Sequence, residues 1–232
     1  MSENNELAFL IWRAGFRRDS EEWQRETGWR PENLRKPGLE PATVIDVGVA
    51  RGTPNLYNAF PKARLVLIEP LAEFEDDLRR IAKRRDGEYV LTAVGAEAGT
   101  AVINVDPDTL YGSSLLVNSW ASPDAPAPER REIGVTTLDA LRRERGWEGP
   151  FGLKLDVEGY ERQVIAGAAE LLRETQFVIA EVSVAQQYAG SAPFAAFIAT
   201  MDGHGFALND VLDGRRRGAE GVDFLDLMFL RK

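Results

Sequence analysis

Four ionisable residues fall in or beside two short apolar runs in the second half of the chain. Lys154 and Asp156 lie two apart within Gly152–Val157 (GLKLDV), so in a strand they share a face. Glu158 and Gly159 follow in what reads as the turn beyond, and Glu181 nears the end of Phe177–Val182 (FVIAEV). Carboxylates at strand ends can orient or deprotonate a hydroxyl, with a lysine tuning their charge. They can equally form an ion pair that only holds two strands and a turn together, because buried charges must be paired. Hard oxygen ligands of this kind also suit Mg²⁺, but two or three must converge, so no metal site is predicted. The one histidine, His204, sits in Asp202-Gly203-His204-Gly205 and reads as a turn residue, which leaves proton handling to carboxylates or lysine.

A second group lies near residue 50. Asp46-Val47-Gly48-Val49-Ala50-Arg51-Gly52 leaves the apolar run Val44–Val47 directly, and Thr53-Pro54 then suits a helix start. Glycines here let the backbone turn sharply and approach a ligand. The D-x-G-x-x-x-G spacing differs from the dinucleotide fingerprint, and its carboxylate suits a ligand bearing an amino group. Asp46, Gly48, Val49, Arg51 and Gly52 are therefore candidate cofactor residues. Glu69 closes the run Arg64–Ile68 (RLVLI), 17 residues past Gly52 and just before Pro70, where a carboxylate can accept hydrogen bonds from two ribose hydroxyls. Each signal alone can be a plain turn or a surface acid; in this order they point to a nucleoside.

The elements that would carry these residues alternate. Short aliphatic runs at 44–47, 64–68, 89–94, 152–157 and 177–182 are separated by amphipathic stretches, with further strands at 206–208 and 224–230. Val164, Ile165, Ala168, Leu171 and Leu172 share one helical face, as do Phe194, Phe197, Ile198 and Met201. This pattern predicts a doubly wound α/β domain with a mostly parallel sheet. Thr100–Val105 predicts an extra hairpin strand, 118–132 a mobile loop, and the Gly- and Arg-rich 213–221 a connection between the last two strands. Residues 6–29 look helical, with Asp19 and Glu22 as a capping box, and Pro31, Pro37, Gly38 and Pro41 punctuate a linker. The division expected is an N-terminal helical appendage over 1–42, acting as a lid or a homodimer contact, and one domain over 43–232.

A formal net charge of −9 disfavours nucleic acid as a partner. The absence of cysteine excludes disulfides and thiolate nucleophiles. No run approaches the ~20 apolar residues of a membrane span, and the N-terminus lacks a signal pattern, so a cytoplasmic protein without membrane contact is expected. The arginines at 79–80 and 84–85 read as solvated faces, and Trp12, Trp23 and Trp29 as packing residues.

Leu153-Lys154-Leu155-Asp156-Val157-Glu158-Gly159-Tyr160-Glu161 resembles the K-x-D-x-E-G-x-E signature of the FkbM-type methyltransferases. DVGVARG and LVLIEP resemble the first two motifs of that family. Ala93-Val94-Gly95 with Gly99-Thr100, Gly112-Ser113-Ser114-Leu115, and Val135-Thr136-Thr137-Leu138-Asp139 resemble later ones. The likeness runs from about residue 43 to the C-terminus. It implies a Rossmann-like class I methyltransferase fold with seven strands, the last antiparallel. It also implies S-adenosyl-L-methionine as cofactor and a hydroxyl on a sugar, polyketide or related small molecule as acceptor. Asp46, Gly48, Val49, Arg51, Gly52, Glu69 and Pro70 would then hold the cofactor. Ala93 and Val94 would flank its adenine, and Ser114 would lie near its methionine end. Asp156, Lys154, Glu158 and Glu181 would form the catalytic group. Val49-Ala50 stands where the family has Ala-Asn, one polar contact fewer, which keeps a non-catalytic binding or scaffold role as an alternative. An NAD-dependent oxidoreductase on the same fold is the other.

Overall fold

Continuous apolar runs suit strands buried on both faces, and the chain uses them so. In β1 (Thr43–Val47) all five residues are buried, with Val44 packing into one core and Ile45 and Val47 into another. The computed structural model describes residues 28–107, 109–121, 126–216 and 221–232. The remaining strands of the main sheet are β2 (Arg64–Glu69), β3 (Glu88–Leu91), β8 (Phe151–Leu155), β9 (Thr175–Ser183), β11 (Phe206–Arg216) and β12 (Val222–Arg231). Their order is β3-β2-β1-β8-β9-β12-β11. The first five run parallel, and β12 is antiparallel to both of its neighbours. This is the doubly wound sheet expected, with the chain's last strand inserted beside β9 and reversed.

Helices cover both faces. On one, α4 (Leu138–Arg145), α5 (Glu161–Ala166), α6 (Ala169–Arg173) and α7 (Phe194–Gly203) bury Leu141, Ile165, Leu171 and Phe197. On the other, α2 (Pro54–Ala59) and α3 (Glu75–Arg84) bury Leu56 and Leu78. Each fully buried aliphatic side chain contributes about 1.5–3 kcal/mol, so the packing fixes the strand ends to which the site is attached. The stretch after β8, expected as one helix, is two short ones broken at Gly167, where a Cβ would lie 2.0 Å from the Gly95 carbonyl oxygen.

Three expectations need correction. The run 89–94 is not one strand: it breaks at Thr92, and β4 (Ala93–Val94) leaves to pair with β7 (Glu129–Thr136). β7 also pairs antiparallel with β5 (Gly99–Val105), so the predicted hairpin strand belongs to a separate three-stranded sheet, and 129–132 is strand rather than mobile loop. Two short strands, β6 (Val117–Asn118) and β10 (Tyr188–Ala189), pair antiparallel in a ribbon of their own. Residues 213–216 extend β11 through a bulged antiparallel ladder with β12 instead of forming a connection. The linker of 31–41 contains a short helix, α1 (Pro31–Leu34), whose Leu34 is fully buried in the second core with Trp29 and Leu39 packed near it. The expected helix before Gly28, its capping box, Trp12 and Trp23, and residues 122–125 and 217–220 lie outside the described residues. Among the described residues no helix is long and apolar enough to cross a membrane.

Candidate active site

Parallel pairing of β1 and β8 sets Asp46 directly beside Lys154. The Lys154 ammonium donates to the Gly48 carbonyl at 3.0 Å and ion-pairs with Asp46 and Asp156, each at 3.2 Å. Burial pushes the lysine toward neutrality, but Asp156 and Asp46 more than offset it, and its pKa is raised. Asp46 is fully buried, and its other oxygen accepts the Tyr57 hydroxyl at 2.6 Å. Burial and the Asp46 charge raise the Tyr57 pKa, so the phenol stays protonated. A Cβ on Gly48 would stand 1.7 Å from the Asp156 carbonyl oxygen, so this glycine lets the β1 turn lie against the end of β8. The close approach expected toward a ligand is here made to the protein's own backbone.

The end of β2 is held as tightly. Glu69 is 5% exposed, and its two oxygens accept the amides of Ala50 at 2.9 Å and Leu71 at 3.0 Å. Burial raises its pKa, while the two amides and Lys154 act against the rise. A carboxylate has about four lone-pair sites, so acceptor capacity remains. Glu69 lines a cavity of about 830 Å³, part of it open to solvent, that runs along the carboxyl ends of the strands. One part of the wall is apolar, with Ile68, Phe74, Ala93 and Val94; another is acidic, with Asp156, Glu158 and Glu181.

The turn after β8 brings those acids together. Glu158 has a φ of +53°, in the left-handed region, followed by Gly159 at +95°. The Ser114 hydroxyl donates to the Glu158 carbonyl at 2.7 Å, and the Tyr188 hydroxyl donates to the Glu158 carboxylate. The buried Glu161 carboxylate accepts the amides of Gly159 at 3.0 Å and Val157 at 3.3 Å. One oxygen each of Asp156, Glu158 and Glu181 lies within 4.8 Å of the others. Burial, then the neighbouring Asp156 charge, pushes Glu158 up to about 8 and Glu181 up to about 10. Burial likewise carries Glu161 to about 7. Hard oxygen donors suit a divalent cation, although Mg²⁺ at ~2.1 Å from each ligand would draw these oxygens closer than 4.8 Å.

An apolar slot, a buried carboxylate at the second strand and acids at the fourth and fifth positions of the sheet thus meet in one cavity. The sequence matches the model of the methyltransferase FkbM domain over residues 46–208. The chain belongs to the FkbM methyltransferase family. Its chemistry is methyl transfer with S-adenosylmethionine as donor. A similar protein is the 2-O-methyltransferase NoeI of Sinorhizobium fredii, 26% identical over 181 residues, 71% of this chain and 72% of that protein. Among solved structures, Aeropyrum pernix fibrillarin with bound S-adenosyl-L-methionine is 14% identical with a TM-score of 0.47, covering 85% of this chain and 70% of that one. Magnesium protoporphyrin IX methyltransferase from Synechocystis, also with bound S-adenosylmethionine, is 11% identical with a TM-score of 0.44, covering 100% and 98%.

In this FkbM methyltransferase the cavity gathers Gly48, Glu69, Pro70, Ala93, Val94 and Ser114 with Asp156, Glu158 and Glu181. Gly52 and Lys154 face a second cleft. Asp46, Val49 and Arg51 line neither: Asp46 lies beneath the Gly48 turn, Val49 packs into the second core, and Arg51 is exposed. His204 follows α7 and also lines neither. Ser114 is buried and engaged with the Glu158 carbonyl and the Leu116 amide. Sequence reasoning missed Tyr57, Phe74, Glu161 and Tyr188. Glu161 was available, since it closes the K-x-D-x-E-G-x-E run; the others carry no local signal.

Proposed function

We propose that this chain methylates a hydroxyl of a small molecule, with Asp156 orienting or deprotonating the acceptor. The observation that carries the reading is the junction of the two walls: the slot bounded by Glu69, Ala93 and Val94 opens directly onto Asp156, Glu158 and Glu181. S-adenosylmethionine supplies a sulfonium methyl for in-line displacement. Glu69, fixed by the Ala50 and Leu71 amides, accepts the ribose hydroxyls. Ala93, Val94 and Phe74 flank the adenine. Lys154 holds Asp156 in place and carries its counter-charge. Glu158 and Glu181, which burial holds toward their neutral forms, limit the build-up of negative charge around Asp156 and shape the pocket. Water exclusion and alignment supply most of such a rate enhancement, and proton removal about 10²–10⁴. Oxygen as the acceptor atom is supported by the name of the NoeI relative.

Calorimetric titration with S-adenosylmethionine and with NAD, followed by a methyl-transfer screen against hydroxylated sugars and polyketides read by mass, tests the proposal. Binding of S-adenosylmethionine with a gain of one methyl on oxygen is expected. Binding of NAD instead, or cofactor binding with methylation only at nitrogen or carbon, would overturn it.

A further inference from the structure

A second cleft, of about 580 Å³, shares Asp156 and Glu181 with the cofactor cavity. One of its walls is the start of α2, with Thr53 and Asn55; the other is built by Glu181 on β9, Asp226 on β12 and Trp29. β9 and β12 pair so that Asp226 stands directly beside Glu181. The Trp29 indole donates to the Asp226 carboxylate at 2.6 Å, which fixes an apolar ring against the acidic wall. Glu181 has no hydrogen-bond or ion-pair partner among the described residues. Among the described lining residues Lys154 is the one cation, and it is already engaged, donating to the Gly48 carbonyl and ion-pairing with Asp46 and Asp156.

We infer that the acceptor binds over the Trp29–Glu181–Asp226 wall, with its reacting hydroxyl at Asp156, and that it carries no anionic group near that hydroxyl. The inference rests on the methyl-transfer reading above and adds to it the place and charge class of the acceptor. A carboxyl group accepts from a hydroxyl or ammonium donor, and when neutral it also donates to a hydroxyl oxygen, so these acids can meet a polyol in either state. The burial that holds Glu181 and Asp226 toward their neutral forms would oppose a phosphate or carboxylate on the acceptor in the same way, and among the described lining residues no unpaired ammonium or guanidinium stands ready to meet it. An anion buried without a partner cation is costly in such surroundings. Burial pushes Asp226 up to about 7, with Trp29 acting against the rise. Trp29 supplies the apolar edge against which the ring of a polyol or amino-polyol can lie.

The test uses the full chain saturated with S-adenosylhomocysteine. Saturation-transfer NMR reads the binding of four matched probes: methyl glucoside, glucosamine, glucose 6-phosphate and glucuronate. The first two should bind, and the two anions should bind at least about tenfold more weakly. Asp226→Lys should narrow or reverse that gap. Trp29→Ala should weaken the uncharged and amine probes. Affinity for S-adenosylhomocysteine, measured on the same samples, should stay unchanged in both variants, which also reports that they are folded. An anion that binds as tightly as the neutral glucoside overturns the inference. So does a chain that holds S-adenosylhomocysteine but binds no non-anionic probe, or binds one without dependence on Trp29. A chain that fails to bind S-adenosylhomocysteine overturns the methyl-transfer reading itself.

Discussion

Replacing Lys154 by methionine removes a charge from the most buried part of the site while nearly keeping the side chain's volume. The ammonium faces Asp46 and Asp156, both at 3.2 Å. At that distance Coulomb's law with an effective dielectric of about 20 gives roughly 5 kcal/mol of gross attraction per pair. Asp156 is about a third exposed at its side chain and can be rehydrated, so its share is small. Asp46 is fully buried and would keep only the Tyr57 hydroxyl. Breaking a buried pair from one side typically costs 3–5 kcal/mol, because the remaining charge stays unpaired, and that range is expected here. For a chain of this size it corresponds to a fall in melting temperature of roughly 6–20 °C. Adding Asp46→Asn removes the stranded charge, leaves an acceptor for Tyr57, and should recover about 1–3 kcal/mol. Urea melts of both variants, with cofactor titration in parallel, measure these values. A loss below about 1 kcal/mol for Lys154→Met, or no recovery on adding Asp46→Asn, refutes the reasoning.

Glu69→Ala should weaken S-adenosylmethionine binding by roughly 1–3 kcal/mol in a calorimeter, since the ribose and the Ala50 and Leu71 amides all lose an acceptor; unchanged affinity in a folded variant would remove the ribose role. Asp156→Asn should lower turnover by about 10²–10⁴ with cofactor binding intact, and near-normal turnover would make the K-x-D-x-E-G run a structural ion pair. Activity should survive a strong chelator; loss that Mg²⁺ restores would place a cation on Asp156, Glu158 and Glu181. Glu158, Glu161, Glu181 and Asp226 have pKa values raised mainly by burial, so the folded chain keeps protons that the unfolded chain releases above about 4–4.5. Stability should therefore fall as pH rises from about 5 toward 9, by a few kcal/mol in sum, and bound S-adenosylmethionine should flatten the fall. Melting temperatures that hold level or rise across that range would mean that these acids are already ionised.

The aliphatic runs announced the main sheet because both of its faces are covered, which leaves no polar alternation to misread. Thr92 hid the break between β3 and β4, since YVLTAV has strand propensity throughout and only the pairing with β7 decides where it divides. The polar, arginine-rich start of β7 looked like loop because its exposed residues give no apolar stripe. In the site, residues carried by strand ends and turns were legible from type and spacing: Glu69, Asp156, Glu158 and Glu181 do face one cavity. Asp46 was legible as important but not as buried. That depends on β1 lying beside β8, a pairing between residues 108 positions apart. Trp29 and Asp226, 197 positions apart, met only in the folded chain.

The left-handed backbone at Glu158 bears on how this protein would respond to selection. A residue with a Cβ in that region costs roughly 1–2 kcal/mol, which glycine or, in part, asparagine avoids. A library screened for heat resistance alone would thus favour Glu158→Gly, and the survivors would be sturdier and missing a carboxylate from the acidic wall. Ala50, with a φ of +45° beside Glu69, is open to the same drift. Stabilising this chain for use therefore calls for a screen that scores methyl transfer together with melting temperature, because the cheapest gains in robustness lie at the mouth of the cavity.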